Sequence, residues 1–77
     1  MSDYLHHLFT DGEREVLLMA FSGLTAKEVA RETGRCYRTV QWHLANAYDK
    51  LGVNSLMQAR NRVDALGGVD ALRRYQN

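Results

Sequence analysis

The chain has 77 residues, a formal net charge of +1, one cysteine and no proline. A domain of this size buries only ~60% of its unfolded surface, which leaves no room for a large catalytic cleft, and a lone cysteine excludes an internal disulfide and suits a reducing, cytoplasmic compartment. The longest apolar run, residues 16–21, is far short of a membrane span, and no basic start followed by an apolar stretch marks a signal peptide.

Residues 1–9 show no clear period and read as a lead-in, with Leu8 and Phe9 expected to pack onto the segment after them. The adjacent His6 and His7 cannot both face one metal from a helix, and no other ligand set has suitable spacing, so neither a metal nor a cofactor is expected. Thr10 followed by Glu13 is a capping box that opens helix 1: the hydroxyl takes an orphan amide and the carboxylate reaches back. Val16, Leu17, Ala20 and Phe21 form its apolar face, and Gly23 ends it. Thr25 and Glu28 repeat the box and open helix 2, whose face is Val29 with Ala26, Ala30 and Thr33; Gly34 closes it. Two capped helices separated by one glycine turn pack at a sharp angle.

The stretch 36–51 is the third helix. At about 100° per residue, Val40, Leu44, Ala47 and Leu51 fall in one stripe that must face a core. The opposite side carries Arg38, Trp42, Ala45 and Asp49, flanked by Gln41 and Asn46. A tryptophan displayed beside Arg and Gln calls for a partner; the plainer reading is an indole covering a neighbouring helix. His43 lies at the border of the stripe, which suits a buried hydrogen-bonding role rather than catalysis. Gly52 ends the helix. Ser55 and Gln58 form a third box, and Leu56, Ala59, Val63 and Leu66 follow the helical rhythm up to Gly67 and Gly68. Residues 69–75 are long enough for a short fifth helix, and nothing alternates with period two, so no sheet is expected.

The fold class is therefore all-α: a four-helix helix-turn-helix domain over residues 10–67, with a tail at 68–77 that the optional fifth helix would occupy. A helix apolar on one face and rich in Arg, Gln, Trp and Asn on the other, preceded by a short helix and a glycine turn, is how a helix-turn-helix presents its recognition helix to a DNA groove. Charge agrees in part. Residues 1–26 carry one basic and four acidic side chains, whereas residues 27–62 carry seven basic and three acidic ones. A basic middle fits a localised phosphate-facing surface, although ordinary solvated helix faces would look similar.

The segments TDGEREVL, GLTAKEVA, RTVQWHL and YDKLGV, in this order between residues 9 and 59, resemble the DNA-binding domain of LuxR/NarL-type (GerE-like) bacterial transcription regulators. The resemblance covers about fifty of the 77 residues, and TVQWHLANA looks closest to the quorum-sensing branch. In that family the unit usually sits behind a receiver or an acyl-homoserine-lactone sensor; with nine residues ahead of the match, a layout without a sensor, similar to the family's free-standing members, is expected. The departures are Gly12 where the family usually has Arg, Arg35 where it has an apolar residue, Cys36 in place of a capping Ser, and Ser55 and Leu56 in place of an Asn-Arg pair. A cysteine is a poor cap, and losing a good one costs ~1 kcal/mol.

The resemblance implies that double-stranded DNA is the partner and that bases are read from Gln41, Trp42 and Ala45, in agreement with the outward face. Gln41 suits an adenine edge and Trp42 a thymine methyl; Ala45 stands where other members place a long basic side chain and reads little. Arg38 reaches either a guanine or a phosphate. Phosphate contacts are expected from Thr25 and Lys27 at the start of helix 2, from Tyr37 and Thr39 at the start of helix 3, and from Asn46 and Lys50, since helix N-termini and their hydroxyls favour anions. Thr25 is also a cap. Cys36 is either a passive stand-in for serine or a redox-sensitive thiol at a helix start. The family dimerises through helix 4, which makes Leu56, Met57, Arg60 and Val63 candidates for a homodimer contact, although Leu56 and Val63 also suit the monomer core. The competing reading is a protein-interaction module that pairs with a full-length regulator of the same family. No Ser/His/Asp set, paired carboxylates or Gly-rich phosphate loop has usable spacing, so no enzyme is expected.

Overall fold

A computed structural model of the chain describes residues 7–72. Among these residues it contains five helices: α1 (Asp11–Phe21), α2 (Ala26–Thr33), α3 (Tyr37–Leu51), α4 (Leu56–Ala65) and α5 (Gly68–Leu72). The fold is all-α, and no strand occurs among the described residues. The tail region thus holds a short fifth helix that starts at Gly68, while the stretch expected up to residue 75 runs beyond the described residues, as does His6.

The starts follow from local chemistry. The Thr10 amide donates to Glu13 Oε1 at 3.1 Å and the Glu13 amide donates to Thr10 Oγ1 at 3.2 Å. Thr25 and Glu28 repeat both bonds at 2.8 and 3.2 Å. The third box is only half made: the Gln58 amide donates to Ser55 Oγ, but the Gln58 side-chain oxygen reaches one residue further and accepts from the Asn54 amide at 2.8 Å. The backbone at Ser55 is extended, with φ −148°. Cys36 makes no side-chain cap bond at all. Between α2 and α3, Gly34 takes φ +72°, a left-handed conformation that a Cβ would oppose, and this lets the chain double back within three residues.

Two apolar clusters form the interior. Phe9, Leu17, Ala47, Leu51, Ala59, Val63, Ala71 and Leu72 make the larger one; Val16, Val29 and Val40 make the smaller, and Leu44 packs against both. Each fully buried aliphatic side chain contributes roughly 1.5–3 kcal/mol. The expected stripe on α3 faces inward, with Val40 and Ala47 fully buried, Leu51 nearly so and Leu44 half-buried. Phe9 of the lead-in is buried in the larger cluster. Val63 is fully buried there too, so it leaves the dimer set: its methyl groups already fill the monomer interior.

Candidate nucleic-acid interface

Because α3 commits Val40, Ala47 and Leu51 to the interior, 3.6-residue periodicity turns the opposite face outward. Arg38, Gln41, Trp42 and Ala45 all lie exposed on it. Trp42 is 61% exposed, which removes the alternative of an indole covering a neighbouring helix. Its ring neighbour is His43, with centroids 5.4 Å apart and the planes tilted by 50°. Asn46 and Thr39 are half-buried at the edges of the face.

The start of α2 comes alongside the start of α3. Lys27 Nζ lies 6.0 Å from the centre of the Tyr37 ring, and Gln41 Nε2 donates to the Tyr37 hydroxyl at 2.9 Å. Side chains expected to touch phosphate and a side chain expected to touch a base therefore form one connected row. Thr25 is exposed next to Lys27, with its hydroxyl oxygen accepting from the Glu28 amide.

Lys50 stands apart from this row. Its Nζ donates to Glu13 Oε1 at 2.6 Å, and the Glu13 carboxylate is almost fully enclosed. Burial alone raises the Glu13 pKa, but the hydrogen bonds from Lys50 and from the Thr10 amide, together with the charges of Lys50 and His43, outweigh it and hold the carboxyl below its ordinary value of 4.5. A lysine expected at a phosphate is thus paired with a carboxylate of α1. Arg14 is buried as well, with Nη1 donating to the Phe9 carbonyl at 3.3 Å and Nη2 paired with Asp11.

The departures at residues 12 and 35 are coupled in space. A Cβ on Gly12 would come within 2.9 Å of His43 Nε2 and 3.5 Å of Arg35 Nη1. Glycine there lets the imidazole lie against α1, and a guanidinium reaches the same spot from the α2–α3 turn, where Arg35 Nη2 meets Glu15 Oε1 at 2.9 Å. His43 is half-buried, as its border position suggests, and its enclosed Nδ1 takes no hydrogen bond among the described residues.

On α4, Met57 is 76% exposed and Leu56 half-buried. Arg60 lies over the Phe21 ring at 5.5 Å and donates to the Phe21 carbonyl at 3.2 Å. With Ala20 and Asn61 these residues line a shallow groove of about 300 Å³. No group of three or more His, Cys, Asp or Glu among the described residues could hold a metal ion, and no described helix is long and apolar enough to cross a membrane.

The luxR family of bacterial regulatory proteins, typified by GerE, matches residues 7–63, a span that runs from the lead-in through α1, α2 and α3 and into α4. The chain belongs to that family. Relatives agree with the assignment. The luxR-family chain is 41% identical over 61 residues to the probable transcriptional regulatory protein SgaR of Hyphomicrobium methylovorum, covering 74% of this chain and 29% of the relative. It is 40% identical over 58 residues to the transcriptional activator protein AnoR of Acinetobacter nosocomialis, covering 75% of this chain and 24% of the relative. The spore germination protein GerE of Bacillus subtilis is 42% identical over 52 residues, which are 68% of this chain and 70% of the relative. The luxR-family domain thus spans less than a third of the length of SgaR and AnoR. No solved structure matches it. The family is one of DNA-binding transcription regulators, not of enzymes.

Sequence reasoning missed three connections: Lys50 to Glu13, Arg35 to Glu15, and, on the outward face itself, Gln41 to Tyr37. For the first two no local signal exists, since the partners are 37 and 20 residues apart. For the third the signal was present in the four-residue spacing on one helix.

Proposed function

We propose that this luxR-family domain is a sequence-specific regulator that lays α3 in the DNA major groove and acts as a homodimer in the cytoplasm. Gln41, Trp42 and Ala45 face the bases, Arg38 meets a guanine or a phosphate, and Thr25, Lys27, Tyr37, Thr39 and Asn46 fix the register on the backbone. The observation that carries this reading is the exposure of Trp42 opposite a fully buried Val40, with Gln41 exposed on the flank beside it. A solvent-facing indole beside an amide calls for a partner. It suits a groove where the amide pairs with an adenine edge, at ~1–3 kcal/mol of discrimination, and the ring presses on a thymine methyl. Met57 and Arg60, with Leu56 at the rim, are the dimer candidates that remain outside the core. A two-fold dimer calls for a near-palindromic site with half-sites roughly one helical turn apart.

Selection of bound duplexes from a random pool tests the proposal. The expected result is an enriched palindrome, bound with an affinity that falls steeply with salt. Gln41→Ala with Trp42→Ala should keep non-specific affinity and lose the selected sequence; a double variant that discriminates as well as wild type would overturn the base-reading assignment.

A second reading is favoured by the exposed Met57 and the groove beside it: the domain pairs through α4 with a full-length regulator of the same family and modulates it. Absence of any gel shift at low salt, together with capture of such a regulator, would favour this reading over direct action on DNA.

A further inference from the structure

We propose that Tyr37 is a specificity-determining positioning residue, whose hydroxyl oxygen holds the Gln41 amide in the orientation that reads adenine while its own O–H remains for a phosphate oxygen. The inference rests on the DNA-binding reading above and concerns what makes one base pair preferred. A free glutamine side chain turns about several single bonds and can flip its amide, presenting either its oxygen or its nitrogen first. Adenine offers an acceptor and a donor side by side, whereas guanine offers two acceptors, so the choice between them depends on where the amide oxygen is held.

In this chain the amide is tied down. Gln41 Nε2 donates to the Tyr37 hydroxyl at 2.9 Å, one turn back on the same helix. An amide nitrogen has two N–H groups, and a hydroxyl can accept while still donating. The adenine-reading pose spends on Tyr37 the N–H that points away from Oε1, and so leaves Oε1 and the neighbouring N–H as a paired acceptor and donor, complementary to adenine. The Tyr37 ring is itself flanked, with Lys27 Nζ 6.0 Å from its centre, while the residue is 42% exposed and so open to a phosphate. Side-chain freedom that binding would otherwise remove is therefore given up beforehand, which is how preorganisation raises affinity for the matching partner. The same hydroxyl, by donating to a phosphate, would link docking on the backbone to reading of the base.

The test uses duplexes selected from a random pool by the wild-type chain. The base pair whose replacement no longer matters in Gln41→Ala identifies the Gln41 contact. Affinities for the selected duplex and for one changed at that pair are then compared among wild type, Tyr37→Phe, Gln41→Ala and the double variant. Phenylalanine keeps the ring and removes only the hydroxyl. Tyr37→Phe should lower the ratio of the two affinities about five-fold, the worth of one neutral hydrogen bond, and should leave the ratio unchanged in the Gln41→Ala background. A lost phosphate contact or a partly unfolded sample lowers both affinities alike and cancels in the ratio. Tyr37→Phe with the wild-type ratio overturns the inference while leaving DNA recognition by Gln41 intact. A wild-type chain that enriches no sequence, or no base pair that responds to Gln41→Ala, instead removes the reading beneath it.

Discussion

Replacing Lys50 by methionine separates two roles for one side chain. In the structure its ammonium meets the enclosed Glu13 carboxylate at 2.6 Å, and the lysine side chain is 34% exposed. Breaking a fully buried pair costs about 3–5 kcal/mol because a charge is left without compensation, whereas an exposed pair is worth about 0–1 kcal/mol. With one partner enclosed and the other partly open to water, the expected loss for Lys50→Met at pH 7 is about 1–2 kcal/mol. Methionine has nearly the same length and helix propensity, so packing changes little. Urea unfolding at pH 7 and at acid pH measures the effect. The folded pKa of Glu13 is lowered below 4.5, so in the wild type the pair stabilises the fold above the ordinary carboxylate range, and that contribution fades as pH falls through the lowered value. Once the carboxyl is protonated there is no charge to strand, and the cost of Lys50→Met should shrink toward zero. The salt dependence of DNA binding gives the second readout. A phosphate-bound lysine would reduce the slope by about one on removal, whereas a lysine engaged by Glu13 leaves it unchanged. A variant with wild-type stability and a reduced slope would refute the structural assignment of Lys50.

Three further outcomes are expected. Cys36→Ser should supply the side-chain cap that α3 lacks and raise stability by about 0.5–1 kcal/mol, seen as a higher melting temperature. Val63→Ala should destabilise the domain by about 2 kcal/mol, from lost transfer energy plus a residual cavity, while Met57→Ala changes stability by less than about 0.5 kcal/mol and weakens self-association in sedimentation measurements. Trp42→Ala should leave the urea midpoint almost unmoved, because its indole stands in solvent, yet abolish retention of the selected duplex in a gel shift at moderate salt.

Most of the architecture was legible because it is written locally. Thr10 with Glu13 and Thr25 with Glu28 announce helix starts by their spacing alone, and the stripe from Val40 to Leu51 announces which side of α3 is inward. The α3 face opposite could then be read by subtraction, including the outward tryptophan. What failed to show is what depends on the third dimension. Glu13 reads as a cap, and it is one, but its carboxylate also accepts from a lysine on a distant helix, which no periodicity encodes. Gly12 and Arg35 look like two separate oddities until α1 and the turn before α3 are brought together. Val63 lies on the inner side of α4 by its spacing with Ala59, and of the two readings open to it, core or dimer contact, its burial favours the core. Ser55 matched the box by letter, but the Gln58 side chain accepts from the Asn54 amide instead.

Leu44 touches both apolar clusters, which pins α3 near its middle as well as toward each end. Rolling or sliding that rod to aim different side chains at a duplex would tear two separate interiors at once. Retargeting the domain to another operator must therefore proceed by exchanging what the rod displays, one outer residue at a time, and not by tilting the rod itself.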